Sequence, residues 1–588
     1  MQYFHIFALP FCIGFFFVIG YVLIRILQIA FSLPLSDKRH ILRNILTYHT
    51  LQALYEIFCE VLLHRRIWKE NIRLGYMHTC FALGWFMLIV TGWIESYLYT
   101  GGSSLPIWQH IFFKFFAPGY HEFTASGIIT QLMDLWLAFI LSGQLIAILK
   151  RLFHRTVGFA LRPRHSRFNR IAMTSLWFIF PLRLMAESTT AAIYGGGGFL
   201  TRSIGELIST FLPDNSAVSD TIYMTFWWAY SFALGIFFCS IPFSRYMHIP
   251  TEAFLILARH WKIRDVKAIN RLETLACSAC GMCLSNCPLA RNNVAAIQPV
   301  YFIERLRDNK STEDDTYKCL QCGRCQQICP VRVHSQNLRQ EIKGSLNNIE
   351  WGKPKTSSNK APTIQNVALF SGCMGKMTPR TKIAMSKILD TARIQYTWVD
   401  EEQDLCCGRP RHLNGDNDGA QMKLDELIAA IRQLSPDAVV TTCPICYNMI
   451  KGKIGSLPIM HHSDFLYMLA KEQRIKINKS ETTLTYHDPC ELARVAQTSQ
   501  EPVELLSKCG SMIQPSDSGT TTRCCGGALA AIGLSNNDRL TLAQDTANYL
   551  TSCSSDKIVT ACPLCKKTIA QRTQIPVEDI AEIIARQL

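Results

Sequence analysis

The sequence has no G-x-G-x-x-G ahead of a helix and no Walker-type loop. Its one glycine run, Gly195 to Gly198, has no strand before it. Nothing here cradles the phosphates of NAD, flavin or a nucleotide, so any hydride chemistry belongs to a partner. A secretory cleavage pattern is also missing. The first apolar run lacks a basic n-region, is too long for a signal, and is followed by no small-residue site, so it reads as an anchor. Without secretion, 24 cysteines in 588 residues do not make a disulfide framework. They fall in C-x-x-C clusters, which implies metal or iron–sulfur ligation and a reducing, cytoplasmic setting for the C-terminal half. The net charge of +15 flanks apolar segments instead of forming a patch, which argues against nucleic-acid binding.

Residues 1–250 are strongly apolar and residues 250–588 have ordinary soluble polarity. Bilayer crossing takes roughly 20 apolar residues, and five stretches qualify: 4–31, 76–99, 128–149, 171–194 and 222–243. Basic residues are scarce in two of the intervening loops, where 100–127 and 195–221 hold only Lys114 and Arg202. They crowd the other two. Lys38, Arg39, Arg43, Arg65, Arg66, Lys69 and Arg73 lie in 32–75; Lys150, Arg151, Arg155, Arg162, Arg164, Arg167 and Arg170 lie in 150–170. The asymmetry puts the basic loops and the cysteine-rich half in the cytoplasm, with the N-terminus outside.

Histidine within a span is costly and needs a reason. His78 opens the second span, and His248 follows the fifth in Arg245-Tyr246-Met247-His248-Ile249-Pro250. At one membrane face the two can ligate a single b-type haem from opposite sides; the plainer reading is a pair of interfacial histidines. The region resembles the membrane subunits of the nitrate-reductase-gamma and heterodisulfide-reductase type. That resemblance implies five spans and haem-ligating histidines in the second and fifth. A second haem at the outer face has only His5, His110 and His121 as candidates, none in the right setting, so one haem is expected, with two as the alternative. Glu187, four residues after Arg183, either neutralises it on one helix face or lines a quinone pocket or proton path.

After a basic stretch the chain reads Cys277-x-x-Cys280-x-x-Cys283-x-x-x-Cys287-Pro288, then Cys319-x-x-Cys322-x-x-Cys325-x-x-x-Cys329-Pro330. This is the two-cluster ferredoxin run, in which three thiolates wrap one cubane and the fourth reaches the other. Cys277, Cys280, Cys283 and Cys329 are therefore expected to hold one [4Fe–4S], and Cys319, Cys322, Cys325 and Cys287 the other. Zinc ribbons also use C-x-x-C pairs, but two complete runs each closed by Cys-Pro argue against zinc.

A five-cysteine pattern then occurs twice. The first copy is Cys373, Cys406-Cys407-Gly408 and Cys443-Pro444-Ile445-Cys446; the second is Cys490, Cys524-Cys525-Gly526 and Cys562-Pro563-Leu564-Cys565. Matching cysteines are 117–119 residues apart, an internal repeat. Strands over 367–370 and 484–486 run into the lone cysteines, and strands over 438–441 and 557–560 into the C-P-x-C words. Helices are expected over 419–434 and 536–552, and Pro suits the first turn of the helix opened by each Cys-Pro. The pattern is α/β, with ligands at the C-terminal ends of strands. Vicinal cysteines diverge, which suits a large or irregular cluster better than one tetrahedral ion.

Both copies, with Ser371-Gly372-Cys373 and His487-Asp488-Pro489-Cys490, resemble the cysteine-rich CCG domain of heterodisulfide reductase catalytic subunits. The resemblance implies a non-cubane [4Fe–4S] cluster in each five-cysteine set, the two acting as the catalytic pair; zinc in one copy is the alternative, since some members hold it there. The domains expected are a membrane domain over 1–258, a ferredoxin module over 259–343, a polar linker over 344–363, and CCG domains over 364–480 and 481–588. The chain looks like a fusion of the two subunits of the membrane-bound heterodisulfide reductase. Two functions follow: an enzyme that reduces or forms a small disulfide with quinone or quinol, or a relay between the quinone pool and a cytoplasmic electron-transfer flavoprotein or flavin dehydrogenase. Cys12, Cys59, Cys80, Cys239, Cys509 and Cys553 stand outside the clusters and read as small apolar residues.

Overall fold

The computed structural model describes residues 4–100, 102, 106–118, 124–153, 163–211, 216–294, 296–312, 314–344, 364–527, 529 and 531–588. They form two compact units, Met1–Gly281 and Met282–Leu588. His121, Arg155, Arg162 and most of the expected linker lie outside the described residues.

The first unit is helical. Among the described residues, four helices are long and apolar enough to cross a membrane: Ile6–Ser32, Ile72–Tyr99, Gly127–Leu152 and Ala217–Phe243. The expected span at 171–194 forms the equally long helix Arg167–Tyr194. It is not among the four, because Arg183, Glu187 and a row of serines and threonines dilute its apolar residues. Its start is fixed by Ser166, whose hydroxyl accepts from the Asn169 N–H, one of the donors a helix N-terminus leaves unpaired. Asn71 does the same for Leu74 at the start of Ile72–Tyr99. The bundle core is aromatic: Phe7, Phe112 and Trp227 are almost wholly buried and meet largely edge to face, an arrangement that ring quadrupoles favour. Beyond the last span the chain turns back onto the segment over 35–57. Asp37 accepts from the backbone N–H groups of Arg264 and Asp265, and Trp261 donates to Thr50.

The second unit begins with short helices around the cysteines of 282–344 and continues as two α/β repeats. In the first, β1 (Asn366–Phe370), β2 (Gln395–Trp398), β3 (Ala438–Thr441) and β4 (Ile459–His461) form a parallel sheet in the order β2-β1-β3-β4. In the second, β5 (Thr483–His487), β6 (Ser511–Met512), β7 (Lys557–Thr560) and β8 (Val577–Asp579) repeat the order as β6-β5-β7-β8. Parallel strands need crossovers, and here helices such as Asn417–Gln433 and Asn536–Thr551 supply them. The central strand β3 is buried along its whole length, as a sheet covered on both faces requires. One apolar cluster contains Phe465 and Leu466 of the first repeat with Ile580 and Ile584 of the second. Each such side chain contributes about 1.5–3 kcal/mol, so the repeats share part of their core.

Candidate iron–sulfur site

In both sheets the chain goes from the first strand to one side and then crosses to the other. This leaves a switch point between β1 and β3 and another between β5 and β7, where open α/β sheets bind ligands at the carboxyl ends of their strands. The lone cysteines and C-P-x-C words fall there. Cys373 follows β1 and Cys443 follows β3; Cys490 follows β5 and Cys562 follows β7. Pro444 and Pro563 each start a helix, Pro444–Ile450 and Pro563–Ala570, which turns Cys446 and Cys565 back toward the strand ends.

The vicinal cysteines come from loops held by their glycines. Gly408 has φ +78°, and a Cβ there would run into the Ala420 carbonyl oxygen on helix Asn417–Gln433. Gly526, at φ +81°, would place a Cβ 2.9 Å from the Ala543 nitrogen on Asn536–Thr551. Only glycine combines the left-handed turn with that approach, which accounts for the third letter of each C-C-G word.

The thiols of each set meet in sequence. Cys373 reaches Cys406, Cys406 reaches Cys407, Cys407 reaches Cys446 and Cys446 reaches Cys443 by hydrogen bonds between side chains. In the second set Cys490 and Cys525 both reach Cys524, while Cys565 joins Cys525 to Cys562. Among the described residues no three converge as ligands of one ion. Neighbouring hydrogen bonds pull the Cys406 thiol down, chiefly from Cys373, and the Cys525 thiol down, chiefly from Cys524. Thiolates are the ligating form, so five sulfurs in contact, one already favoured as thiolate, fit a cluster.

The two sets are close to each other. Cys562 lies near enough to Cys443 to feel its charge. Between them, Glu491 of the second repeat takes a 3.1 Å ion pair from Arg409 of the first and a hydrogen bond from the Asn448 amide. Sequence reasoning missed this pair, although each member stands one or two positions beyond a ligand word.

In the ferredoxin module, Cys325 lies among Cys322, Cys319 and Cys287. Burial pushes the Cys287 thiol up to about 12. Backbone N–H groups of Gln321 and Val333 point at the sulfurs of Cys319 and Cys329, each at 3.4 Å, contacts of the kind that tune cluster potentials. Cys277 and Cys280 close the first unit, whereas Cys283 and Cys329 belong to the second. Cys322 also reaches the other site: a hydrogen bond from Cys524 pulls its thiol down to about 6. Arg494, fully buried, fixes this junction. Its Nε donates to the Cys322 carbonyl at 2.6 Å, and its Nη1 to the carbonyls of Thr520 and Thr522, both at 2.9 Å.

In the first unit, His78 Nδ1 lies 2.7 Å from the Leu74 carbonyl and His248 Nδ1 lies 2.6 Å from that of Arg245. A carbonyl partner makes Nδ1 the protonated nitrogen and leaves Nε2 as the lone-pair nitrogen, the tautomer metal-ligating histidines use. Arg245 lies close to His78 as well. His64, which no sequence signal singled out, stacks on His78 with ring centroids 5.4 Å apart, and burial holds it down to about 4. At the other end of the bundle His5 packs on Phe115 and His110 bonds to Ser96. Arg183 donates to Glu187 at 2.9 Å, the neutralising pair. A cavity of about 690 Å³ lies between Arg167–Tyr194 and Ser216–Ser240, with Arg167, Arg170 and Thr174 among apolar residues such as Phe178 and Phe232.

The family comparisons agree on the class. Residues 367–451 and 484–570 match the CCG cysteine-rich domain and residues 273–333 the 4Fe-4S dicluster domain. The chain is an iron–sulfur protein with two CCG domains and a 4Fe-4S module, preceded by apolar helices that fit a membrane domain. Among individual proteins it is similar to a component chain of the dihydromethanophenazine:CoB–CoM heterodisulfide reductase of Methanosarcina acetivorans, 24% identical over 398 residues, covering 55% of this chain and 96% of that one. It is also similar to a probable iron-sulfur-binding oxidoreductase, FadF, of Bacillus subtilis, 20% identical over 499 residues, covering 62% and 70%. A probable membrane-anchored ferredoxin of Chromohalobacter salexigens is 23% identical over 346 residues, covering 55% of this chain and 50% of that one.

Proposed function

We propose that this chain is a membrane-bound oxidoreductase that carries electrons between the quinone pool and a cytoplasmic redox partner, an electron-transfer flavoprotein or flavin dehydrogenase, at its CCG domains. The observation that carries the reading is the contact between Cys322 and Cys524, which joins the ferredoxin module to the second five-cysteine set. Cys277, Cys280, Cys283 and Cys329 would hold one cubane, and Cys319, Cys322, Cys325 and Cys287 the other. Cys373, Cys406, Cys407, Cys443 and Cys446 would hold a third cluster; Cys490, Cys524, Cys525, Cys562 and Cys565 a fourth. His78 and His248 would hold a b-type haem, supported by their matched Nδ1–carbonyl bonds. When bound, these groups supply single-electron transfer.

The protein's own residues order the path. Arg494 holds Cys322 against the second set, and Arg409 with Glu491 spaces the second set from the first. The cavity beside Arg170 has the size and the apolar lining with few polar groups that suit a ring with a polar head, consistent with quinone. In this reading Arg167–Tyr194 completes the five spans, its charges neutralised internally, and the basic loops put the CCG domains in the cytoplasm. Direct splitting of a small disulfide between the two sets is the second reading, favoured by the proximity of Cys443 and Cys562.

Purification in mild detergent, metal analysis and EPR under redox titration test the proposal. About sixteen irons with one b-haem are expected. A stoichiometric zinc would remove one CCG cluster and sink the disulfide reading, and absence of haem would sink the quinone route.

A further inference from the structure

Behind the two five-cysteine sets runs a line of buried polar side chains with no part in the path above. His461 ends β4 in register with Thr441, two residues before Cys443; Asp579 ends β8 in register with Thr560, two residues before Cys562. These positions are equivalent in the repeat, and His462 stands between them. Its Nε2 lies 2.9 Å from Asp579 Oδ1, and its Nδ1 lies 3.2 Å from His461 Nε2. His461 Nδ1 lies 2.8 Å from the Ser463 hydroxyl, which lies 3.2 Å from Asp464 Oδ1. His461, His462 and Asp579 have no exposure at all, whereas Asp464 reaches water. The backbones of Thr442 and Ala561, the residues just before Cys443 and Cys562, both come within hydrogen-bonding reach of the His461 ring.

The partners fix the direction of the line. A buried carboxylate needs donors, so Asp579 takes the His462 Nε2–H as well as the Ala581 N–H. His462 Nδ1 then accepts from His461 Nε2–H, and His461 Nδ1 accepts from the Ser463 backbone N–H, while the Ser463 hydroxyl donates to Asp464. The imidazole hydrogens point toward Asp579, and the Ser463 hydroxyl hydrogen points toward Asp464. The nitrogen placed to take a further proton is His461 Nδ1, which Ser463 and Asp464 connect to solvent. Burial disfavours the imidazolium at His461, and a negative charge arriving nearby reverses that preference. Facing the line are Tyr447 and Lys451 at helix Pro444–Ile450, Glu501 on Gln500–Ser507 and Tyr486 on β5.

We propose that His461, His462 and Asp579 are a proton store shared by the two cysteine sets. One proton enters from water through Asp464 and Ser463 when an electron reaches the sets, and it leaves the same way when the electron departs. The electron comes along the path above and the proton from solvent, so the charge of the buried region is unchanged. Only N–H and O–H bonds form or break. The inference rests on the reading that the cysteine sets hold redox clusters.

The test is a redox titration of the full chain in detergent, read by EPR at a series of pH values, for the wild type, His462→Gln and His461→Asn. The expected wild-type midpoint of the cysteine-set signals falls as pH rises, and either variant that folds loses this dependence while the ferredoxin-type signals stay in place. A wild-type midpoint that ignores pH overturns the store, as does a variant that keeps the wild-type slope. If neither cysteine set gives an iron–sulfur signal, the underlying reading falls and takes the store with it.

Discussion

Arg494 binds the carbonyl of Cys322, 172 residues earlier in the chain, at 2.6 Å, and with its other arm gathers the loop that leads into Cys524. A guanidinium presents several donors in a fixed fork, and here the fork joins a ferredoxin ligand to the second cysteine set.

Replacing Arg494 with Gln should therefore loosen the junction. Three carbonyls lose a charged donor, and at about 1–3 kcal/mol for the buried one of Thr522 the unfolding temperature of the solubilised protein should fall measurably. The variant should keep its iron, yet rapid-freeze EPR should show slower reduction of the second cysteine set from the ferredoxin module.

Gly408→Ala should act on one repeat only. The left-handed turn alone costs about 1–2 kcal/mol with a side chain, and the new methyl would meet a backbone oxygen on a packed helix. Metal analysis should show loss of the first set's iron with the second set's retained; equal loss from both would contradict the separate roles of the two C-C-G loops.

Glu491→Ala should strand the buried Arg409. Breaking one partner of a buried pair costs about 3–5 kcal/mol. The double variant Glu491→Ala with Arg409→Met should recover part of that loss in thermal unfolding, as no lone charge remains.

Burial raises the Asp464 carboxyl to about 6 from an ordinary 3.8. Between those values the folded protein binds more protons than the unfolded chain, so stability should fall as pH rises from about 4 to about 6. The effect is bounded by about 3 kcal/mol at 1.36 kcal/mol per unit. Asp464→Asn should flatten the unfolding profile across that window.

His78→Ala and His248→Ala should each abolish the b-type haem absorbance and leave the iron–sulfur EPR signals intact. Retention of the haem spectrum in either variant would remove that histidine from the ligand set.

Local pattern revealed much of the second unit. The strands over 367–370, 438–441, 484–486 and 557–560 form close to those positions, because each is an apolar run ended by a ligand word. The helices Asn417–Gln433 and Asn536–Thr551 likewise follow their period. The edge strands β2, β4, β6 and β8 were not legible: at two to four residues they carry too little alternation to register. The contacts that join modules were hidden for another reason. Arg494, Glu491 and His462 look like ordinary residues until folding brings distant loops to them. The helix Arg167–Tyr194 was legible as the apolar stretch over 171–194, although Arg183 and Glu187 dilute it.

The repeat is symmetric in strand order but not at its seam. Where the first copy ends its edge strand in His461, followed by His462, the second ends in Asp579, followed by Ile580. A dimer of the first copy would set base against base, and a dimer of the second would set acid against acid in a water-free core. Only the unlike pair is complementary. Covalent tandem linkage thus supplies each half with its correct mate at birth, and shuffling the halves into like-with-like assemblies would bury unmatched charge.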